Sequence, residues 1–130
     1  MQGLHHIGII SLDVEKAEKF YYKYFGFTKG YEFDVPASTM QTFFNVNCPA
    51  HVVALNSGNL IVELFSLSDK VQFRPKMGSI THFAVYVENR KDKADELKAD
   101  GYEVLSIVKE DKNIVYFIKD PDNNLVELKD

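Results

Sequence analysis

The sequence predicts an α+β fold of two βαβββ modules that form a curved mixed sheet around one cavity. Three observations lead there. First, two histidines occupy matching apolar segments, Leu4-His5-His6-Ile7-Gly8-Ile9 and Ile80-Thr81-His82-Phe83-Ala84-Val85. Second, each is followed after seven residues by a good N-cap residue, Asp13 or Asn89, opening a helical stretch that closes at Gly26-Phe27 or Gly101-Tyr102. Third, each half ends in an apolar strand carrying a glutamate, Leu60-Ile61-Val62-Glu63-Leu64 and Asn124-Leu125-Val126-Glu127-Leu128. The unit reads β-α-β-β-β, twice. Residues 1–68 form the first module, 69–79 a connector and 80–130 the second module, together one domain.

The first helix, about Val14 to Phe25, places Val14, Ala17, Phe20, Tyr21 and Tyr24 on one face at helical spacing. That aromatic density reads as core packing. Strands are expected at about 27–34, 51–56 and 60–67, with Ser57-Gly58-Asn59 as a hairpin turn. Between Val35 and Pro49 the first half has an insertion with no counterpart in the second. It is either a short helix with Pro36 at N1 and Met40, Phe43 and Phe44 at i, i+3 and i+4, or a strand over 41–46. Its Met/Phe-rich composition suits a lid or pocket wall. In the second half strands are expected at about 80–87, 102–109, 113–119 and 124–129. The second helix, about Arg90 to Asp100, buries mainly Ala94 and Leu97 and is otherwise polar. Asp120-Pro121-Asp122-Asn123-Asn124 has the residues of a tight turn.

At 130 residues, 45% hydrophobic and 26% charged, the chain has the composition of an ordinary globular domain that needs no staples. Net charge is −4 with no basic stripe for phosphates, so nucleic acid is not an expected partner. One cysteine, Cys48, excludes an internal disulfide framework and fits a reducing compartment. It precedes a proline and has no evident base, so it is not expected to be a nucleophile. No signal peptide and no membrane-spanning apolar run is visible, and a cytoplasmic protein is the expectation.

Side chains alternate along a strand. His6 shares a face with Leu4, Gly8 and Ile10; His82 with Ala84 and Tyr86; Glu63 with Ile61 and Phe65; Glu127 with Leu125. The opposite faces are almost uniformly aliphatic or aromatic and should pack under the helices. A carboxylate in such a strand is costly to bury without a partner. Two imidazoles and two carboxylates at repeat-related positions therefore suggest one shared divalent cation: Ni, Zn, Mn, Co or Fe(II). His5 has the wrong parity and reads as a packing or hydrogen-bonding residue. His51 has no partner by spacing and reads as surface or cavity rim.

On His6-Ile7-Gly8-Ile9 with Asp13, Phe20-Tyr21, Phe25-Gly26-Phe27, Ile61-Val62-Glu63-Leu64, His82-Phe83-Ala84-Val85-Tyr86-Val87 and Asp120 to Leu128, the chain resembles the vicinal oxygen chelate superfamily along essentially its whole length. That superfamily includes glyoxalase I, bleomycin-resistance proteins, methylmalonyl-CoA epimerase, fosfomycin-resistance transferases and extradiol dioxygenases. The His-Glu-His-Glu set is most similar to bacterial glyoxalase I. The resemblance implies metal ligands His6, Glu63, His82 and Glu127, with Glu63 or Glu127 as the catalytic proton shuttle. It implies a lyase or isomerase acting on a hemithioacetal, with proton transfer next to a carbonyl through a metal-bound enediolate. A homodimer is implied too, because modules in this family often pair between chains.

The chain also departs from the pattern. Glyoxalase I typically has arginine four residues after the first histidine, where this chain has Ile10; Arg74, Lys76 and Lys112 are the basic residues available for a substrate carboxylate. The substrate is a small molecule, whether a glutathione adduct, another thiol adduct or a CoA thioester. The alternatives are a metal-free, bleomycin-resistance-like protein that binds an aromatic or planar compound, and an epimerase-like or dioxygenase-like metal enzyme. Phe43, Phe44, Phe65, Tyr86 and Tyr116 are the expected substrate-binding residues, lining the pocket by stacking.

Overall fold

A computed structural model describes residues 4–70, 80 and 82–130. The expected connector from residue 71 to 79, with Arg74 and Lys76, lies outside the described residues, as does Thr81. The elements are β1 (Ile7–Ile10), α1 (Val14–Phe25), β2 (Thr28–Val35), α2 (Ala37–Phe44), β3 (Ala50–Ser57) and β4 (Leu60–Leu67). They continue with β5 (Phe83–Tyr86), α3 (Arg90–Ala99), β6 (Val104–Val108), β7 (Ile114–Lys119) and β8 (Leu125–Lys129). The fold is α+β, two βαβββ modules, each built on its own four-stranded mixed sheet. The chain divides into two compact units, residues 1–77 and 78–130.

The strand order is the same in both units: β1-β4-β3-β2 and β5-β8-β7-β6. In each, one parallel pair brings the first strand beside the glutamate strand. Gly8 lies opposite Glu63, and Ala84 lies opposite Glu127. The small residue of each first strand thus sits beside each carboxylate. At Gly8 an added Cβ would come within 3.1 Å of the Phe65 ring, so the close approach of β1 to that side chain favours glycine.

The helices begin and end where local chemistry requires. The Asp13 side chain accepts from Lys16 N–H at 3.1 Å, and the Asn89 side chain accepts from Asp92 N–H at 3.0 Å. Gly26, at φ 70°, closes α1 in the left-handed region. Asp13→Ala and Asn89→Ala are each expected to lower stability by about 1 kcal/mol. The urea midpoint should fall with the slope unchanged.

In the first unit α1 packs against β2 and β3. Its buried Ala17, Phe20, Tyr21 and Tyr24 belong to the same core as Val53, Leu55, Val62 and Leu64. Those sheet residues face away from Glu63, since Val53 pairs with Leu64 and Leu55 with Val62. In the second unit α3 buries Ala94 and Leu97 and packs on β6, β7 and β8, where Ile118, Val126 and Leu128 are buried.

The insertion forms a helix, not a strand, and Pro36 is its N-cap rather than N1, with extended ψ of 155°. Met40 joins Val46, Cys48, Ala50 and Leu67 in a second cluster, with Ile10, Val35 and Phe65 packed against it. Phe65 pairs with Ile10 and Val52, on the Glu63 side of the sheet. The first sheet therefore carries α1 on one face and α2 on the face of Glu63. The Cys48 thiol is buried in this cluster.

Candidate functional site

β1 and β5 are shorter than the apolar segments suggest, so His6 and His82 stand just before their strands rather than within them. Each still reaches the glutamate of its own unit. His6 Nε2 lies 3.4 Å from Glu63 Oε2, and His82 Nε2 lies 3.3 Å from Glu127 Oε2. Both spacings are longer than the roughly 2.7–2.9 Å of a charge-assisted hydrogen bond. They match two donors of one cation: with metal–ligand bonds near 2.0–2.2 Å, adjacent ligands stand about 3.0–3.5 Å apart. Imidazole with carboxylate, and no thiolate, suits a divalent ion of intermediate softness. Each unit offers two such donors. Among the described residues, no three His, Cys, Asp or Glu side chains gather closely enough to hold a metal by themselves.

The two carboxylates have different outer partners. Glu63 is only 6% exposed, and the Tyr31 hydroxyl donates to its Oε1 at 2.8 Å. That bond, then loss of solvent, pushes the Tyr31 phenol above its ordinary range. Glu127 is less buried, and the Lys129 ammonium lies 2.8 Å from its Oε1. Lys129, with a smaller contribution from His82, holds the Glu127 carboxyl below the usual carboxylate range against partial burial. His5 Nδ1 contacts His6 Nδ1 at 2.9 Å, so one imidazole donates to the other. This contact leaves His6 Nε2 directed toward Glu63.

The expected aromatic residues fall into two groups. Phe65 is on the Glu63 face, and Phe44 meets its ring edge-on at 5.7 Å. Phe43 contacts Phe44 and is 73% exposed. Tyr86 follows Ala84 on the Glu127 face of β5 and is open to solvent. Tyr116 does not belong with them. It pairs with Leu128 on the opposite face, buried on the side that α3 covers. Its neighbour Phe117 pairs with Glu127 and meets the His82 ring at 4.9 Å. One step along an alternating strand exchanges the two faces, and the register of β7 on β8 selects Phe117. Lys112 occupies the turn between β6 and β7, at φ 72°.

His51, without a partner by sequence spacing, is held across the β2–β3 ladder. Its Nδ1 is 2.7 Å from Asp34 Oδ1, and its Nε2 is 2.9 Å from Glu32 Oε2. Asp34 is its register partner. These two bonds raise the His51 pKa above 6.5, with Asp34 first and Glu32 second. A pKa higher in the folded than the unfolded state gives stability that is full below about pH 6.5. That stability is lost as pH rises through the folded value. The group is exposed, so the effect is small. The Tm difference between wild type and His51→Gln should be larger at pH 6 than at pH 9. A difference that grows with pH would contradict this clamp.

The family model of the Glyoxalase/Bleomycin resistance protein/Dioxygenase superfamily matches residues 3–128. The chain is 28% identical to the uncharacterized protein YwkD of Bacillus subtilis, covering 98% of this chain and 96% of that protein. A glyoxalase family protein from Enterococcus faecalis has a similar fold, with TM-score 0.72 at 23% identity over 99% of this chain and 98% of the other. So does the trypanothione-dependent glyoxalase I of Leishmania major, with TM-score 0.70 at 21% identity over 98% of this chain and 86% of the other. A lactoylglutathione lyase from Agrobacterium tumefaciens gives TM-score 0.62 at 19% identity, over 98% of this chain and 92% of the other. At these identities the solved structures bear on the fold alone.

Proposed function

This chain belongs to the Glyoxalase/Bleomycin resistance protein/Dioxygenase superfamily, and on that footing we propose that it is a metal-dependent lyase or isomerase of the glyoxalase I type. It would move a proton next to the carbonyl of a small thiol adduct or thioester. One observation carries the reading: each unit sets an imidazole Nε2 and a carboxylate Oε2 at 3.3–3.4 Å, the separation of two donors to one cation. We assign His6 and Glu63 of the first unit, and His82 and Glu127 of the second, as ligands of a divalent ion, and propose a homodimer. The ion would supply Lewis-acid polarisation of a carbonyl oxygen.

The chain's own residues do the rest. A glutamate of the set, Glu63 or Glu127, takes the proton from carbon and returns it to the neighbouring carbon. Phe44 and Phe65 in the first unit, and Phe117 and Tyr86 in the second, supply apolar surface beside the carboxylates. They orient the substrate and limit access of water.

The deciding experiment is elemental analysis of purified, untagged protein, followed by hemithioacetal and CoA-thioester isomerisation assays with the metal found. About one equivalent of nickel, zinc, manganese or cobalt per site, with turnover, is expected. Iron would shift the reading to oxygen chemistry. No metal, and no uptake of any of these ions, would sink the enzyme reading. The aromatic residues would then favour a metal-free binding protein for a planar compound, detectable by a ligand-induced fluorescence change.

A further inference from the structure

We propose that Tyr31 is a positioning residue for Glu63, holding one carboxylate oxygen so that the other is presented to the cation; this deepens the metal-site reading and rests on it. The starting point is an irregularity in β2. Thr28 pairs with Asn56 and Phe33 with Val52, both on the Glu63 side of the sheet, while the register shifts between Lys29 and Glu32. Alternation from Thr28 puts Gly30 on that side, and alternation from Phe33 puts Tyr31 there as well. Two successive residues facing one way is a β-bulge, a device that re-aims a side chain. Without the shift Tyr31 would point to the α1 side. Gly30 permits the irregularity, since a Cβ there would lie 2.3 Å from the Asn56 side-chain nitrogen.

The bulge delivers the phenol to one oxygen only. Tyr31 donates to Glu63 Oε1 at 2.8 Å, while Oε2 faces His6 Nε2 at 3.4 Å. The two oxygens are thereby given different tasks, and rotation of the carboxylate about its last bond is checked. The Tyr31 ring stacks on Phe33, with centroids 6.0 Å apart and planes 21° apart, which limits its swing. Both rings are 41% exposed, so the pair is not core packing. The second unit meets the same need differently, with the Lys129 ammonium on Glu127 Oε1. Fixing a ligand carboxylate by a hydrogen bond from outside the ligand set is worth about 10–100-fold in metal affinity.

The test titrates cobalt(II) alone into metal-free wild type and Tyr31→Phe, followed by calorimetry and by the visible d–d absorption of the bound ion. Phenylalanine keeps the stack on Phe33 and removes only the donor. The dissociation constant is expected to rise about 10–100-fold, the cobalt bands to shift, and the Tm of the metal-free protein to stay where it was. Wild type that takes up no cobalt overturns the metal-site reading and this inference with it. Wild type that binds cobalt while Tyr31→Phe binds it equally well, with the same spectrum, overturns the inference and leaves the metal site standing. A loss of affinity accompanied by a matching fall in the metal-free Tm overturns positioning in favour of general structural support.

Discussion

His6→Ala and His82→Ala are each expected to weaken nickel or cobalt(II) binding by at least about 100-fold, exceeding the 10–100-fold cost of losing an outer partner. On the proposed metal site, each removes one of the two donors of its unit. Both imidazoles are substantially exposed, at 43% and 36% of their side-chain surface, so the metal-free fold should be almost unmoved. Calorimetric titration and thermal unfolding of metal-free protein, run side by side, separate the two effects. His5→Ala is the control. His5 touches His6 through Nδ1 only, and its loss should cost less than loss of either ligand. Tight binding by His6→Ala with weak binding by His5→Ala would reassign the ligand. Affinity of the wild type should also decline in acid, where protons compete with the ion for its ligands.

Leu64→Ala should be the most damaging substitution on the other face of the same strand. Leu64 is fully buried in β4, between β1 and β3, paired with Ile9 and Val53. Truncating a buried leucine costs about 2–5 kcal/mol, through lost transfer energy and the cavity left behind. For a domain of this size that corresponds to a Tm fall of roughly 5–20 °C. Phe43→Ala, on a side chain 73% exposed, should stay within about 0.5 kcal/mol. If the two substitutions cost the same, the side of β4 away from Glu63 is not the core. Because neighbouring residues in a strand face opposite ways, Leu64→Ala tests packing while Glu63 reports on the site.

Much of the architecture was legible because it depends on local chemistry. The caps at Asp13 and Asn89 act on N–H groups three residues away, and the α1 stripe of Ala17, Phe20, Tyr21 and Tyr24 follows from helical spacing. The hairpin at Gly58 needs a positive φ that glycine supplies at no cost, here 56°. The turn at Asp120 is also local: its Oδ1 accepts from Asp122 and Asn124 N–H, each at 2.8 Å. Strand alternation correctly put Glu63 on the face away from Val62 and Leu64, and Glu127 on the face away from Val126 and Leu128, since period two survives in any sheet. The sequence suggests Tyr116 as a pocket residue, whereas the register of β7 on β8 puts Phe117 on the Glu127 face instead.

The sequence by itself therefore determined the doubled β-α-β-β-β order, the ends of α1 and α3, and the His and Glu positions of each half, because capping, periodicity and repetition act within a few residues. Only the tertiary structure decided which outer group each carboxylate receives. Tyr31 reaches Glu63 from thirty-two residues away, through a bulge that Gly30 permits but that only the register of β2 on β3 places. His51 becomes a clamp through Asp34 and Glu32 on a neighbouring strand. These contacts are set by pairing register between distant segments, where a shift of one residue turns a side chain to the opposite face.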